Sequence, residues 1–435
     1  MSLAAGFGLI VFSIALLLGA MAAVKLLSRR FELAPELQRK LVHVSTGLYA
    51  LTLPLTFRDR WPVVVLILAS IAVMLTLRLP LFARSGLAST LHAVERKSYG
   101  EIYLSCAVGF LFFQSQDQPI LYVLPILTLT LSDAAAALVG TNYGRKRFPV
   151  EGGVKSVEGV VAFFVVTWLL AMILLLAMTD SPRLSVIALG LLVAAFGALV
   201  EADSWRGLDN LFVPLSLYFL LAGNLNAPVA DLALLTGLFI GAIAAMRLAA
   251  PLLKLSHHAA RGYTILIFLV CSIGQARDAI LPIVAILAHL VARRFRPCRS
   301  AYPDLDLLAA IAGISLFWLF VGRYFRHSAI DLFDLTFAAM AAAFLALALD
   351  GSWRWLAIPA FAALMAGVVW LAGLNPGDEI AWHGLLWPWV AATLALSFAV
   401  PLLRPGWFDR YRSPRVLATA AALPLVLFIA KGVFA

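Results

Sequence analysis

Asp133 stands alone in an apolar run. The stretch from Leu129 reads LTLTLSDAAAALVG, and a basic, glycine-spaced segment follows at once. That segment runs from Gly140 through Gly144-Arg145-Lys146-Arg147-Phe148-Pro149 to Gly152-Gly153-Val154-Lys155-Ser156-Val157-Glu158-Gly159. A carboxylate inside a membrane helix is costly unless it is paired or put to use. Lys155 and Arg145 are the structural partners that the local sequence offers. The flanking Ala134 to Ala137 permit close helix packing. Glycines let backbone N–H groups approach phosphate oxygens, and the helix expected after Ser156 presents its positive end to them. Lys155 can neutralise phosphate charge there, although the spacing is not that of a Walker loop. Glu158 falls in the first turn of the following apolar run, and Gly159 next to it.

Three further clusters carry charge of the right kind. In Arg39-Lys40-x-x-His43 the three- and four-residue spacings put all three side chains on one helical face. They suit phosphate, and Arg39 and Lys40 equally suit anchoring at a membrane edge. Glu95 to Glu101 precedes an apolar run. Glu101 fits a helix start, and Arg96 and Lys97 fit a solvated loop. Glu201-x-Asp203 and Asp209-Asn210 end two apolar runs, and Asp209 fits a helix N-cap. Several carboxylates opposed by lysine and arginine are what a Mg²⁺-nucleotide site requires. The metal bridges phosphate oxygens, and one carboxylate takes the proton of an attacking hydroxyl. In the second half His257-His258, Arg277-Asp278, Asp331 with Asp334, and Asp378-Glu379 with His383 are isolated and read as loop charges or packing polar groups.

The elements that must position these residues are membrane helices. Of 435 residues, 63% are hydrophobic and 13% charged, against about 25% charged in soluble domains. Apolar runs of roughly 17–22 residues recur, each able to cross a core of about 30 Å. We expect an all-α polytopic bundle of about sixteen spans, from 3–26 to 417–434, with a retained first helix. The segment 262–292 is expected to be two short spans, broken by Gly274, Arg277 and Asp278. With the N-terminus outside, most Lys and Arg fall in cytoplasmic loops, and the five clusters gather at the cytoplasmic face. The net charge of +10 then reflects topology, and nucleic acid is not expected as a partner. Cys106, Cys271 and Cys298 show no metal or disulfide spacing.

The ordered motifs resemble a known family. They comprise Arg39-Lys40-x-x-His43, Gly100-Glu101, Ser132-Asp133 through Gly140 and Tyr143-Gly144-Arg145, Lys155-Ser156-x-Glu158-Gly159, and Glu201 followed by Asp209-Asn210 and Pro214. Across about residues 36–222 the chain is similar to the membrane polyprenol kinases, which include dolichol, phytol and CTP-dependent diacylglycerol kinases. The resemblance implies Mg²⁺-dependent transfer of the γ-phosphate of CTP, or of ATP, to the hydroxyl of a membrane lipid alcohol. It implies catalytic roles among Asp133, Lys155, Glu158 and Glu201, and metal binding by Asp133, Glu201 and Asp209. Arg39, Lys40, His43, Gly140, Gly144, Arg145, Lys155, Ser156 and Gly159 would hold phosphates, with Glu101 and Asn210 beside them. Residues 1–228 would form the catalytic domain of a protein in a bacterial inner membrane, and 229–435 an additional bundle. Two other readings stand: a phosphatidate cytidylyltransferase, and a transporter of lipid or solute.

Overall fold

The computed structural model describes residues 2–77, 99–115, 118–151, 153–274, 276–325, 329–349, 351–375 and 387–434. The Glu95-Arg96-Lys97-Ser98 segment, Gly152, Asp378-Glu379 and His383 lie outside the described residues. Of the described residues 86% are helical, and the described strands form one antiparallel hairpin. The all-α expectation therefore holds.

The first part of the chain folds as α1 (Leu3–Phe31), α2 (Pro35–Thr56), α3 (Arg60–Leu77), α4 (Gly100–Gln114) and α5 (Ile120–Leu127). A π-turn (Thr128–Ser132) leads directly into α6 (Asp133–Tyr143). The hairpin strands β1 (Arg147–Val150) and β2 (Gly153–Ser156) follow, then α7 (Val157–Met178), α8 (Arg183–Asp203), α9 (Asp209–Asn224) and α10 (Val229–Leu252). The later helices are α11 (His257–Ile273), α12 (Ile280–Phe295), α13 (Pro303–Phe325), α14 (Ile330–Ala348), α15 (Ala357–Leu374), α16 (Trp387–Leu403) and α17 (Arg412–Phe434).

Among the described residues nine helices are long and apolar enough to cross a membrane, fewer than the sixteen expected. Apolar helices of 15–17 residues, such as Gly100–Gln114 and Trp387–Leu403, fall below that length. α2 carries Glu36, Arg39, Lys40 and His43 in its first turns. The expected break within 262–292 is present: α11 ends before Gly274, and the short helix Ala276–Ala279 separates it from α12.

The chain divides into two compact units, Met1–Gly241 and Ala242–Ala435. In the first, α7 is apolar all round and only 22% buried. Val161, Val165, Leu169 and Ile173 face outward, as on a helix that meets lipid. α8 and α9 are largely buried. Prolines free backbone acceptors inside this unit. Pro54 has no N–H to offer the Ala50 carbonyl, and that carbonyl accepts from the Tyr122 hydroxyl at 2.6 Å. In the second unit α14 is 89% buried. Its Ala338-Ala339-Met340-Ala341-Ala342-Ala343 stretch lets neighbouring backbones approach closely.

The segment between α6 and α7 differs from the glycine-rich loop expected. α6 continues past Gly140 to Tyr143, and the rest is a hairpin with Phe148 opposite Lys155. Asp133 lies roughly 15 Å from the C-terminal end of α6.

Candidate active site

The π-turn sets the position of Asp133. Such turns shift helical register and leave backbone groups to be satisfied from elsewhere. Here the Leu129 carbonyl accepts from His43 Nε2 at 3.0 Å. A carbonyl only accepts, so the proton sits on Nε2. The same nitrogen lies 3.4 Å from Asp133 Oδ2, and Lys40 Nζ donates to that oxygen at 2.5 Å. Lys40, rather than Lys155 or Arg145, is therefore the partner of Asp133. α2 approaches the π-turn closely at Gly47, where any side chain would collide with Thr130.

Lys155 belongs to a second buried pair. Its Nζ donates to Glu201 Oε1 at 2.7 Å and to the Glu201 backbone carbonyl. Burial works against the charge on Lys155, but Glu201 and then Asp209 outweigh it and raise its pKa above the ordinary value. β2 supplies Lys155, and the last turn of α8 supplies Glu201.

Both pairs line one cavity of about 1140 Å³ in the first unit. Of the predicted site residues, Arg39, Lys40, His43, Glu101, Asp133, Gly140, Lys155, Ser156, Gly159, Glu201, Asp209 and Asn210 line it. Gly144, Arg145 and Glu158 do not. Glu158 instead accepts from the Lys146 backbone N–H, at 3.1 and 3.3 Å, and so clasps the start of the hairpin. Gly159 donates its N–H to Ser156 Oγ, the N-cap of α7. That interaction occupies the Gly159 N–H and leaves the Ser156 hydroxyl its own proton to donate. Gly159 also lets α7 lie against α6: a Cβ there would sit 2.8 Å from the Ala136 carbonyl. Arg39 is exposed and pairs with Glu36 at 2.6 Å.

Asp209 is the first residue of α9, not its cap. Its neighbour Leu208 holds the cap position without a side-chain bond. One Asp209 oxygen, Oδ1, is buried with no hydrogen-bond partner. Among the described residues no group of three or more His, Cys, Asp or Glu gathers as a metal cage. Mg²⁺ at nucleotide sites commonly takes only one or two carboxylates and fills its shell with phosphates and water. The unpartnered Asp209 oxygen beside Glu201 fits that need.

Three charged residues of the cavity wall escaped the sequence reading: Glu36, Glu151 and Arg206. Arg206 pairs with Glu151 at 2.8 Å, from a turn in which Arg206 and Gly207 both have positive φ. The Glu36–Arg39 spacing was visible as an i,i+3 pair. Nothing local joins Glu151 to Arg206.

The chain is 34% identical over 203 residues to a phytol kinase of Synechocystis sp., covering 46% of this chain and 84% of that relative. It belongs to the membrane polyprenol kinase family. A polyprenol kinase of this family is a lipid alcohol kinase and an integral membrane protein. No family model and no solved structure matches the chain. Lys40 on Asp133 and Lys155 on Glu201 are two buried ion pairs in the wall of one cavity.

Proposed function

We propose that this protein transfers the γ-phosphoryl group of CTP, with Mg²⁺, to the hydroxyl of a membrane lipid alcohol of the phytol, polyprenol or diacylglycerol kind. One observation carries the reading: a single cavity joins Lys40, Asp133, Lys155, Glu201 and Asp209 to an apolar wall that includes Ile14, Leu17 and Met21. A triphosphate needs the first set, and a lipid chain needs the second. CTP is preferred over ATP on the motif resemblance. The placement of Lys and Arg in alternate loops supports an active site at the cytoplasmic face of a bacterial inner membrane. Residues 1–228 carry the chemistry in this reading, and 229–435 form the additional bundle.

Lys40 and Lys155 leave their carboxylates to bind the β- and γ-phosphates, while Arg39 and Arg206 attract the nucleotide at the mouth. Asp133 accepts the proton of the acceptor hydroxyl as its oxygen bonds to the γ-phosphorus and CDP departs. His43 keeps its proton on Nε2, directed at the Leu129 carbonyl and Asp133, and holds that carboxylate in place. Asp209 and Glu201 would hold Mg²⁺, which when bound would neutralise charge on the triphosphate.

The test uses purified protein in detergent with Mg²⁺, γ-³²P-CTP and a panel of lipid alcohols, beside Asp133→Asn. Label in a lipid phosphate, lost in the variant, is the expected result. Label only from α-³²P-CTP into phosphatidate would replace this reading with a cytidylyltransferase.

A further inference from the structure

Two charged groups that stand apart in the sequence meet in the second unit. Arg277-Asp278 lies on the short helix Ala276–Ala279 between α11 and α12, and Asp331 and Asp334 lie in the first turns of α14. Asp331 and Asp334 are three residues apart and share one helical face. Asp278, Asp331 and Arg277 all lie close enough to act on Asp334 electrostatically. Asn375, the C-cap of α15, joins them by donating its side-chain amide to Asp331 Oδ1 at 2.8 Å.

The three carboxylates are not equivalent. Asp278 has Arg277, whose Nε lies 3.9 Å from its Oδ1. Asp331 has the Asn375 amide. Asp334 is the deepest, 2% exposed, and its Oδ1 has no hydrogen-bond partner. Exposure rises away from it, to 7% at Asp331 and 15% for the Asp278 side chain. A carboxylate without a partner in a membrane interior is unstable as an ion, and like charges beside it add to the cost. A metal ion relieves that cost only with several oxygen ligands. Among the described residues no group of His, Cys, Asp or Glu is arranged to hold one. A proton needs neither a cage nor room. It makes Asp334 a neutral acid and leaves Asp278 and Asp331 as the ions.

We propose that Asp334 is a proton-binding site of the second unit, and that its proton exchanges with water by way of Asp331 and Asp278. The site lies outside the residues to which phosphoryl transfer is assigned. It gives the additional bundle a chemical property of its own, an exchangeable proton inside a helix that is 89% buried. Carboxyls so placed serve membrane proteins as proton relays.

The experiment is infrared spectroscopy of the full chain in lipid vesicles, where the C=O stretch distinguishes a neutral carboxyl from a carboxylate. At neutral pH wild type should show a neutral-carboxyl band that is missing in Asp334→Asn, present in Asp331→Asn, and restored at a displaced position in Asp334→Glu. Rescue by the glutamate separates protonation from misfolding. In D₂O the band should shift, as an exchangeable proton requires. Raising the pH should abolish it, and should do so about one pH unit or more earlier in Asp331→Asn, where a neighbouring negative charge has been removed. A wild-type spectrum without a neutral-carboxyl band, or identical spectra of wild type and Asp334→Asn in that region, would overturn the proposal. A band that vanishes on adding Na⁺ at fixed pH would replace the proton with a metal cation. A band unmoved by D₂O would overturn the exchange with water.

Discussion

Removing the partner of a buried charge tests the site more sharply than removing the charge from solvent. Lys40 is 3% and Asp133 5% exposed, and their atoms meet at 2.5 Å. Asp133→Asn leaves Lys40 without a counter-ion in a nearly dry setting, where breaking a buried pair costs about 3–5 kcal/mol. His43 keeps its bond to the Leu129 carbonyl and does not offset that loss. Replacing both partners, as in Lys40→Met with Asp133→Leu, removes the unpaired charge, so the stability should return to within about 1–2 kcal/mol of wild type or exceed it. Phosphoryl transfer should not return, because proton acceptance and phosphate binding are both gone. Stability is read by equilibrium unfolding in mixed micelles, and activity by ³²P transfer on the same samples. A single variant as stable as wild type would refute the buried pairing. A double variant with wild-type activity would refute the chemical role assigned to the pair.

Other outcomes follow from the same geometry. Asp209→Asn loses no hydrogen bond at its buried Oδ1 but removes a charge that helps keep Lys155 protonated, so stability should fall modestly; the Mg²⁺ concentration needed for half-maximal transfer should rise, as a metal titration would show. Gly159→Ala should cost about 1–3 kcal/mol through overpacking, because its Cβ would press on the Ala136 carbonyl; thermal unfolding in detergent reads this. Lys155 has a pKa raised above its ordinary 10.5. Its charge is held in both folded and unfolded chains below that value, so its contribution is fully present there and is lost as pH climbs through the folded pKa. Alkaline unfolding of wild type should therefore show a stability loss above about pH 10.5 that Lys155→Met lacks. Glu158→Gln should keep phosphoryl transfer and increase proteolytic nicking near Lys146, since this carboxylate holds the hairpin rather than lining the cavity.

Helices were legible because an apolar run of span length has one stable backbone state in lipid, with every N–H satisfied within the segment. The apolar runs 157–178 and 229–252 form helices with those same limits. The α6–α7 connection was not legible in the same way. Its glycines suit a phosphate loop and a close helix contact alike, and only the packing of Gly159 on Ala136 distinguishes them. Asp209 looked like a cap because Asp is common there; the chain begins the helix one residue earlier and leaves the carboxylate facing the cavity.

Sequence by itself determined that this is a helical membrane protein, that Asp133 needs a partner, and that cations, glycines and carboxylates recur in a kinase-like order. Tertiary structure decided the pairing. Lys40 reaches Asp133 across 93 residues and Lys155 reaches Glu201 across 46. Ion pairs form wherever folding brings opposite charges together in a dry interior, and no local periodicity encodes that meeting. The cavity has the same origin: it is a space left between helices, and a space has no residue of its own in the sequence.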